Sequence, residues 1–164
     1  MDRFIKSLPK IIFVVYLFAL LWLLLFKTST DFATVLTDSH IRSLNLTPFT
    51  GHKSEIIENF AVFIPFGLLL SAGFKKIRFW QKLIIIFVFS LAIEIFQYIL
   101  AIGISDITDI LTNTLGGLAG LLMYKALQKN NAPSEKRDRI IAIAIVILLL
   151  CCLWLRFFVL RVRY

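Results

Sequence analysis

Five apolar stretches separated by polar connections set the outline of this chain. The first, Ile11–Phe26, lies between Lys10 and Lys27, and the polar connection from Lys27 to Glu58 follows it. The second, Asn59–Phe74, is short and is interrupted by Pro65 and Gly67. The third, Leu83–Ile102, holds one charge, Glu94, and the fourth, Ile107–Tyr124, holds one, Asp109. The fifth begins at Ile140 and runs past Leu155, with Arg156 near its end. A spanning helix needs roughly 17–25 predominantly apolar residues, so the first two stretches borrow flanking residues that can snorkel. The pattern predicts a single all-α domain, a polytopic transmembrane bundle of about five helices over residues 10–27, 57–74, 83–102, 106–125 and 140–160.

The third and fourth stretches meet at a very short connection, Gly103–Asp106, and carry polar residues inside them. Glu94 and Gln97 lie on the third. Asp106, Asp109 and Asn113 open the fourth, followed by Gly116, Gly117 and Gly120, and their spacing places all six on one helical face. An ionisable residue in such a run is costly, by roughly 2.5–3.5 kcal/mol on insertion scales. A carboxylate in each of two adjacent helices therefore reads as a working feature.

Composition agrees with the pattern. A hydrophobic content of 59%, a mean hydropathy of +0.87 and sixteen phenylalanines exclude an ordinary soluble domain, whose apolar share is about 45–50%. The charge of +8 and pI of 9.8 could point to nucleic acid. However, the basic residues cluster beside apolar runs and form no basic face with interleaved aromatics, so no nucleic-acid partner is predicted. Counted over the connections, twelve lysines and arginines fall on one side and six on the other, which places the N-terminus in the cytoplasm and the chain in the cell membrane as a multi-pass protein. Arg156, Arg161 and Arg163 fit less well outside, and a fifth segment that only dips into the inner leaflet is the alternative. The positive start resembles a signal peptide, but no small-residue cleavage site follows, so the first helix reads as retained. Gln128–Arg139 reads as a solvated cytoplasmic loop. Cys151 and Cys152 are adjacent, form no disulfide framework and match no metal spacing; no metal or cofactor is predicted.

With that topology the polar residues converge. Glu94 lies eight residues before Ile102, and Asn113 eight after Ser105, which puts both about 12 Å below the outer mouth. Gln97 and Asp109 lie shallower, Asp106 at the rim, and Asn59 opens the second helix on the same side. The long connection adds His40, Arg42, Asn45 and His52. Structural readings stand beside this one. Asp106 followed by Asp109 also fits an N-cap and acidic first turn. Asn113 could pack helices, and packing is the main reading for Gly116, Gly117 and Gly120. Pro65 frees the carbonyl of Ala61 and predicts a kink beside Gly67. Solvated loop positions are the favoured reading for both histidines. Glu94 resists the structural account best, because its helix offers no cation. Either carboxylates in this group are protonated, or a cation reaches them: Arg42, His40, His52 or Lys53 from the long connection, a metal ion or a cationic ligand.

Three blocks resemble the VanZ-like membrane proteins. They are Arg42-Ser-Leu-Asn45-Leu-Thr-Pro48-Phe49, Asn59-Phe-Ala-Val-Phe-Ile-Pro65-Phe-Gly67, and Glu94-x-x-Gln97 followed by Asp106-x-x-Asp109-x-x-x-Asn113-x-x-Gly116-Gly117-x-x-Gly120. Together they cover residues 42–120. Family members often carry an arginine three residues before the first aspartate, where this chain has Gly103, so Arg42 becomes the candidate counter-charge. The resemblance implies a bacterial cell-envelope protein, linked in the best-known case to reduced susceptibility to teicoplanin-type glycopeptides.

The resulting expectation is an outer-leaflet pocket for a lipid-linked envelope precursor or an amphiphilic glycopeptide. Glu94, Asp109 and Asn113 would be its central contacts, Gln97 and Asn59 supporting donors, Asp106 a rim contact and Arg42 a gate-side counter-charge. An enzyme acting on a lipid headgroup, with Glu94 or Asp109 as general base or metal ligand, is the alternative. A transporter or scaffold subunit is a third.

Overall fold

The computed structural model describes residues 2–25, 43–49, 53–100, 104–128 and 133–154. Five helices account for nearly all of them: α1 (Asp2–Leu25), α2 (Lys53–Gly73), α3 (Phe79–Leu100), α4 (Ile107–Gln128) and α5 (Ser134–Trp154). Two three-residue strands, β1 (Ser43–Asn45) and β2 (Ile104–Asp106), pair in parallel. The fold is thus the helical bundle the periodicity predicts, with one small strand ribbon that it does not.

The apolar pattern understates the helices at their polar ends. Residues 53–58 are helical although they hold Lys53, Glu55 and Glu58, because lysine and glutamate are good helix formers and α2 needs no apolar face there. The solvated loop expected over Gln128–Arg139 is corrected likewise. Pro133 precedes the first turn and accepts a hydrogen bond from the Arg137 N–H, and Ser134–Arg139 begin α5.

α2 sits at the centre, packing against all four other helices. Phe13, Tyr16 and Leu20 of α1 share one buried core with Phe63, Phe66 and Leu69 of α2. The Phe66 ring stacks on Phe89 of α3 at 5.2 Å and meets Phe13 at 5.4 Å. The closest pairing is α2 with α4, which run parallel. A methyl group on Gly120 would meet the backbone of Ile64 and, at 3.0 Å, the Leu68 nitrogen; one on Gly67 would lie 2.9 Å from the Leu121 nitrogen. Gly116 faces the Phe60 carbonyl, while Gly117 faces the Ile86 side chain of α3. The helix backbones therefore touch through absent side chains, as in membrane helix pairs. Pro65 is buried within α2, which continues through it. Beside it the Val62 carbonyl accepts a hydrogen bond from the Tyr16 hydroxyl, linking α1 to the turn that proline loosens.

Ser7–Leu24, Lys53–Gly73 and Phe79–Leu100 are long and apolar enough to cross a membrane, with mean hydropathies of 2.2, 1.7 and 2.4. α4 is equally long but carries Asp109, Asn113 and three threonines; α5 opens on five charged residues. Large apolar side chains cover the outside, with Phe18 70% and Trp80 71% exposed. A surface of this kind is poorly suited to water.

Candidate functional site

The glycine seam and the antiparallel run of α3 bring two polar centres to opposite ends of the bundle. The first lies where α3 ends, α4 begins and the segment 43–49 returns. Pairing of β1 with β2 sets Asn45 opposite Asp106, and the Asn45 amide donates to Asp106 Oδ2 at 2.9 Å. The other oxygen, Oδ1, accepts from the Thr108 N–H at 2.7 Å, so Asp106 caps α4. Its backbone N–H donates to Glu94 Oε2 at 3.0 Å, and Ser105 Oγ donates to the Glu94 carbonyl at 2.8 Å. Glu94, only 5% exposed, thereby ties the last turns of α3 to the start of α4. The loop closes with the Phe49 N–H on Thr108 Oγ1 at 2.9 Å. Phe49 has a φ of 63°, the left-handed region that an aromatic residue enters only under local constraint.

Two further side chains lie in this half of the bundle. Gln97, one turn beyond Glu94, donates to the Leu24 carbonyl of α1 at 3.0 Å, and its Oε1 is buried with no hydrogen-bond partner among the described residues. Asn113 of α4 donates to Ser90 Oγ of α3 at 3.0 Å, and its Oδ1 is likewise buried without a partner among them. Leaving a buried acceptor unmet costs about 1–3 kcal/mol. Asn59 of α2 is buried, and Asp109 half-buried one turn into α4. Arg42, His40, His52 and Gly103 lie outside the described residues.

The structure thus brings Glu94, Asp106 and Asn45 into direct contact and binds Asn113 to Ser90. Backbone dipoles answer part of the charge problem posed by the sequence. Glu94 and Asp106 accept backbone N–H groups at the α4 N-terminus, where the helix dipole favours negative charge. Sequence reasoning missed Ser90, Ser105 and Thr108 as partners. A serine four residues before Glu94 on an otherwise apolar face was the available signal for Ser90.

The second centre, at the other end, was not anticipated. Asp138 of α5 is 3% exposed. Tyr124 Oη donates to its Oδ1 at 2.8 Å, and Lys75 Nζ pairs with its Oδ2. Arg137 donates to Tyr124 Oη at 3.3 Å and stacks over the same ring at 5.2 Å. The signal for Asp138 was a lone acid inside Lys-Arg-Asp-Arg, which reads as a solvated charge run.

Fold and sites together define a class: an apolar-surfaced helix bundle with a hydrogen-bonded polar layer at one end and a buried carboxylate clamped by cations at the other. The chain belongs within that class to the VanZ/LLP1 family, whose model matches residues 13–128. It is similar to Protein VanZ of Enterococcus faecium, 45% identical over 161 residues, covering 97% of this chain and 98% of that protein. No solved structure matches the chain.

Proposed function

We propose that this is a multi-pass protein of the bacterial cell membrane whose polar end opens outward and binds an amphiphilic envelope ligand. The ligand is a lipid-linked precursor or a glycopeptide of the teicoplanin type, and binding lowers susceptibility to the antibiotic. Orientation is supported by charge. Lys10, Lys75, Lys82, Lys125 and Arg137 gather at the end opposite Glu94, as a cytoplasmic end requires. The link to glycopeptides rests on family membership and on the likeness to Protein VanZ.

One observation carries the binding reading. Gln97 and Asn113 each hold a buried side-chain acceptor with no partner among the described residues, in the same half as the Glu94 carboxylate. A purely structural layer would satisfy such atoms, because each unmet one weakens the fold. A ligand that donates hydrogen bonds, such as a peptide amide or an ammonium group, would complete them. In this reading Glu94, Asp109 and Asn113 face the ligand, Gln97 and Asn59 orient it, Asp106 shapes the rim and Arg42 supplies the counter-charge at the entrance.

The test is teicoplanin susceptibility in cells producing wild type, Gln97→Met or Asn113→Leu at equal levels of folded protein. Both variants remove the unmet acceptor, and the reading expects both to lose protection. Full protection in both would reject it.

A further inference from the structure

A cavity of about 310 Å³ opens at the end of the bundle opposite Glu94, lined by Ser71, Lys75, Phe79, Lys82, Leu121, Tyr124, Lys125 and Gln128. Three of these side chains are ammonium groups, and none is acidic. The nearest buried carboxylate, Asp138, is already engaged: Lys75 occupies Oδ2, while Tyr124 and Arg137 meet Oδ1. Lys82 is 8% exposed, and its side-chain ammonium has no ion pair or hydrogen bond among the described residues, its backbone N–H alone being bonded, to the Arg78 carbonyl at 3.1 Å. The positive-inside pattern accounts for Lys75 and Lys125, which reach solvent from helix ends. It does not account for Lys82, since a topological lysine needs the interface and no concavity. A buried cation is expensive unless it meets an anion.

We infer that this lysine-lined cavity is a binding site for a phosphate-bearing anion. Its volume is about that of ten waters in the liquid and falls at the lower end of ordinary ligand pockets. Lys82 and Lys125 supply compact positive charge suited to phosphate oxygens, and Lys75 adds a third ammonium beside Asp138. The Ser71 hydroxyl and the Gln128 amide stand in the same wall as neutral donors. Leu121 and Phe79 give it an apolar side, against which the glycerol or acyl part of an ester would rest. The anion is therefore the headgroup of an anionic phospholipid or a free phosphate. The site is independent of the polar layer at Glu94 and of the ligand proposed there.

The test uses the full chain purified in detergent, titrated with inorganic phosphate and, separately, reconstituted in phosphatidylglycerol or phosphatidylcholine nanodiscs. Wild type should show a saturable rise in unfolding temperature with phosphate, or a higher one in phosphatidylglycerol than in phosphatidylcholine. Response to phosphate identifies a soluble source, and response to the lipid alone identifies a headgroup. In Lys82→Met, which keeps the length of the side chain, the response should weaken about tenfold or more, the loss of one charge-assisted contact. Lys125→Met, at an exposed position that the fold does not need, should weaken it as well. Undiminished responses in both variants, or none in wild type to either probe, would overturn the assignment.

Discussion

The two ends of the bundle solve the same problem, a buried carboxylate, in different ways. At one end Glu94 and Asp106 accept hydrogen bonds from backbone N–H groups and an asparagine amide. At the other, Asp138 is held by Lys75, Arg137 and a tyrosine hydroxyl. Dipoles can hold a carboxylate without cancelling its charge, whereas cations cancel it. The first end therefore presents acceptor oxygens, those of Gln97 and Asn113 unmet among the described residues, and the second gathers three lysines around one cavity. The α2–α4 seam between them serves both.

The largest effect should come from that shared seam. Gly120→Ala would drive a methyl group into the Ile64 and Leu68 backbone, which cannot yield as a side chain would. Overpacking of this kind costs about 1–3 kcal/mol or more. Thermal unfolding in detergent should show both ends lost together; survival of either would mean that they are independent units. Next comes Asp138→Ala, which strands a buried tyrosine hydroxyl and separates Lys75 and Arg137 from their partner. The loss should be about 2 kcal/mol, discounted because Lys75 is 46% exposed. The expected signature is looser packing of α5 on hydrogen exchange, with the Glu94 end unchanged.

Smaller effects distinguish how the acidic end is built. Glu94→Leu leaves the Asp106 N–H unmet and should destabilise by about 1–3 kcal/mol. Glu94→Gln retains an acceptor and should lose less, while removing the charge. Asp106→Ala removes the α4 cap and should cost about 1 kcal/mol; Asp106→Asn should recover most of it, because asparagine caps equally well. If Asp106→Asn were as damaging as Asp106→Ala in unfolding experiments, the carboxylate would be needed for its charge and not for its lone pairs.

Much of this arrangement was readable in the chain, and the parts that were not share a physical cause. The helices follow from long apolar runs, and the α4 cap from Asp106 with an acidic Asp109 three residues on, both local signals, although the Thr108 N–H that the cap meets was not foreseen. The β1–β2 ribbon was illegible because three residues carry too little pattern and the partners are 61 positions apart in sequence, as Asn45 and Asp106 show. The Asn113–Ser90 bond joins residues 23 apart on different helices, and spacing along one helix says nothing of its neighbour. Asp138 was hidden for the opposite reason. Its neighbours are basic, so it looked solvated, and only tertiary packing against Tyr124 buries it.

The account stands most directly on whether the Glu94 end binds a ligand. The measurement is equilibrium binding of teicoplanin and of lipid-linked cell-wall precursor to the purified full chain, wild type beside Glu94→Gln. Saturable binding by wild type to one of the two, lost or strongly weakened in a Glu94→Gln protein that unfolds at nearly the same temperature, is the predicted result. Equal binding by both proteins, or none by either, would contradict it and leave Glu94 as a structural tie between α3 and α4.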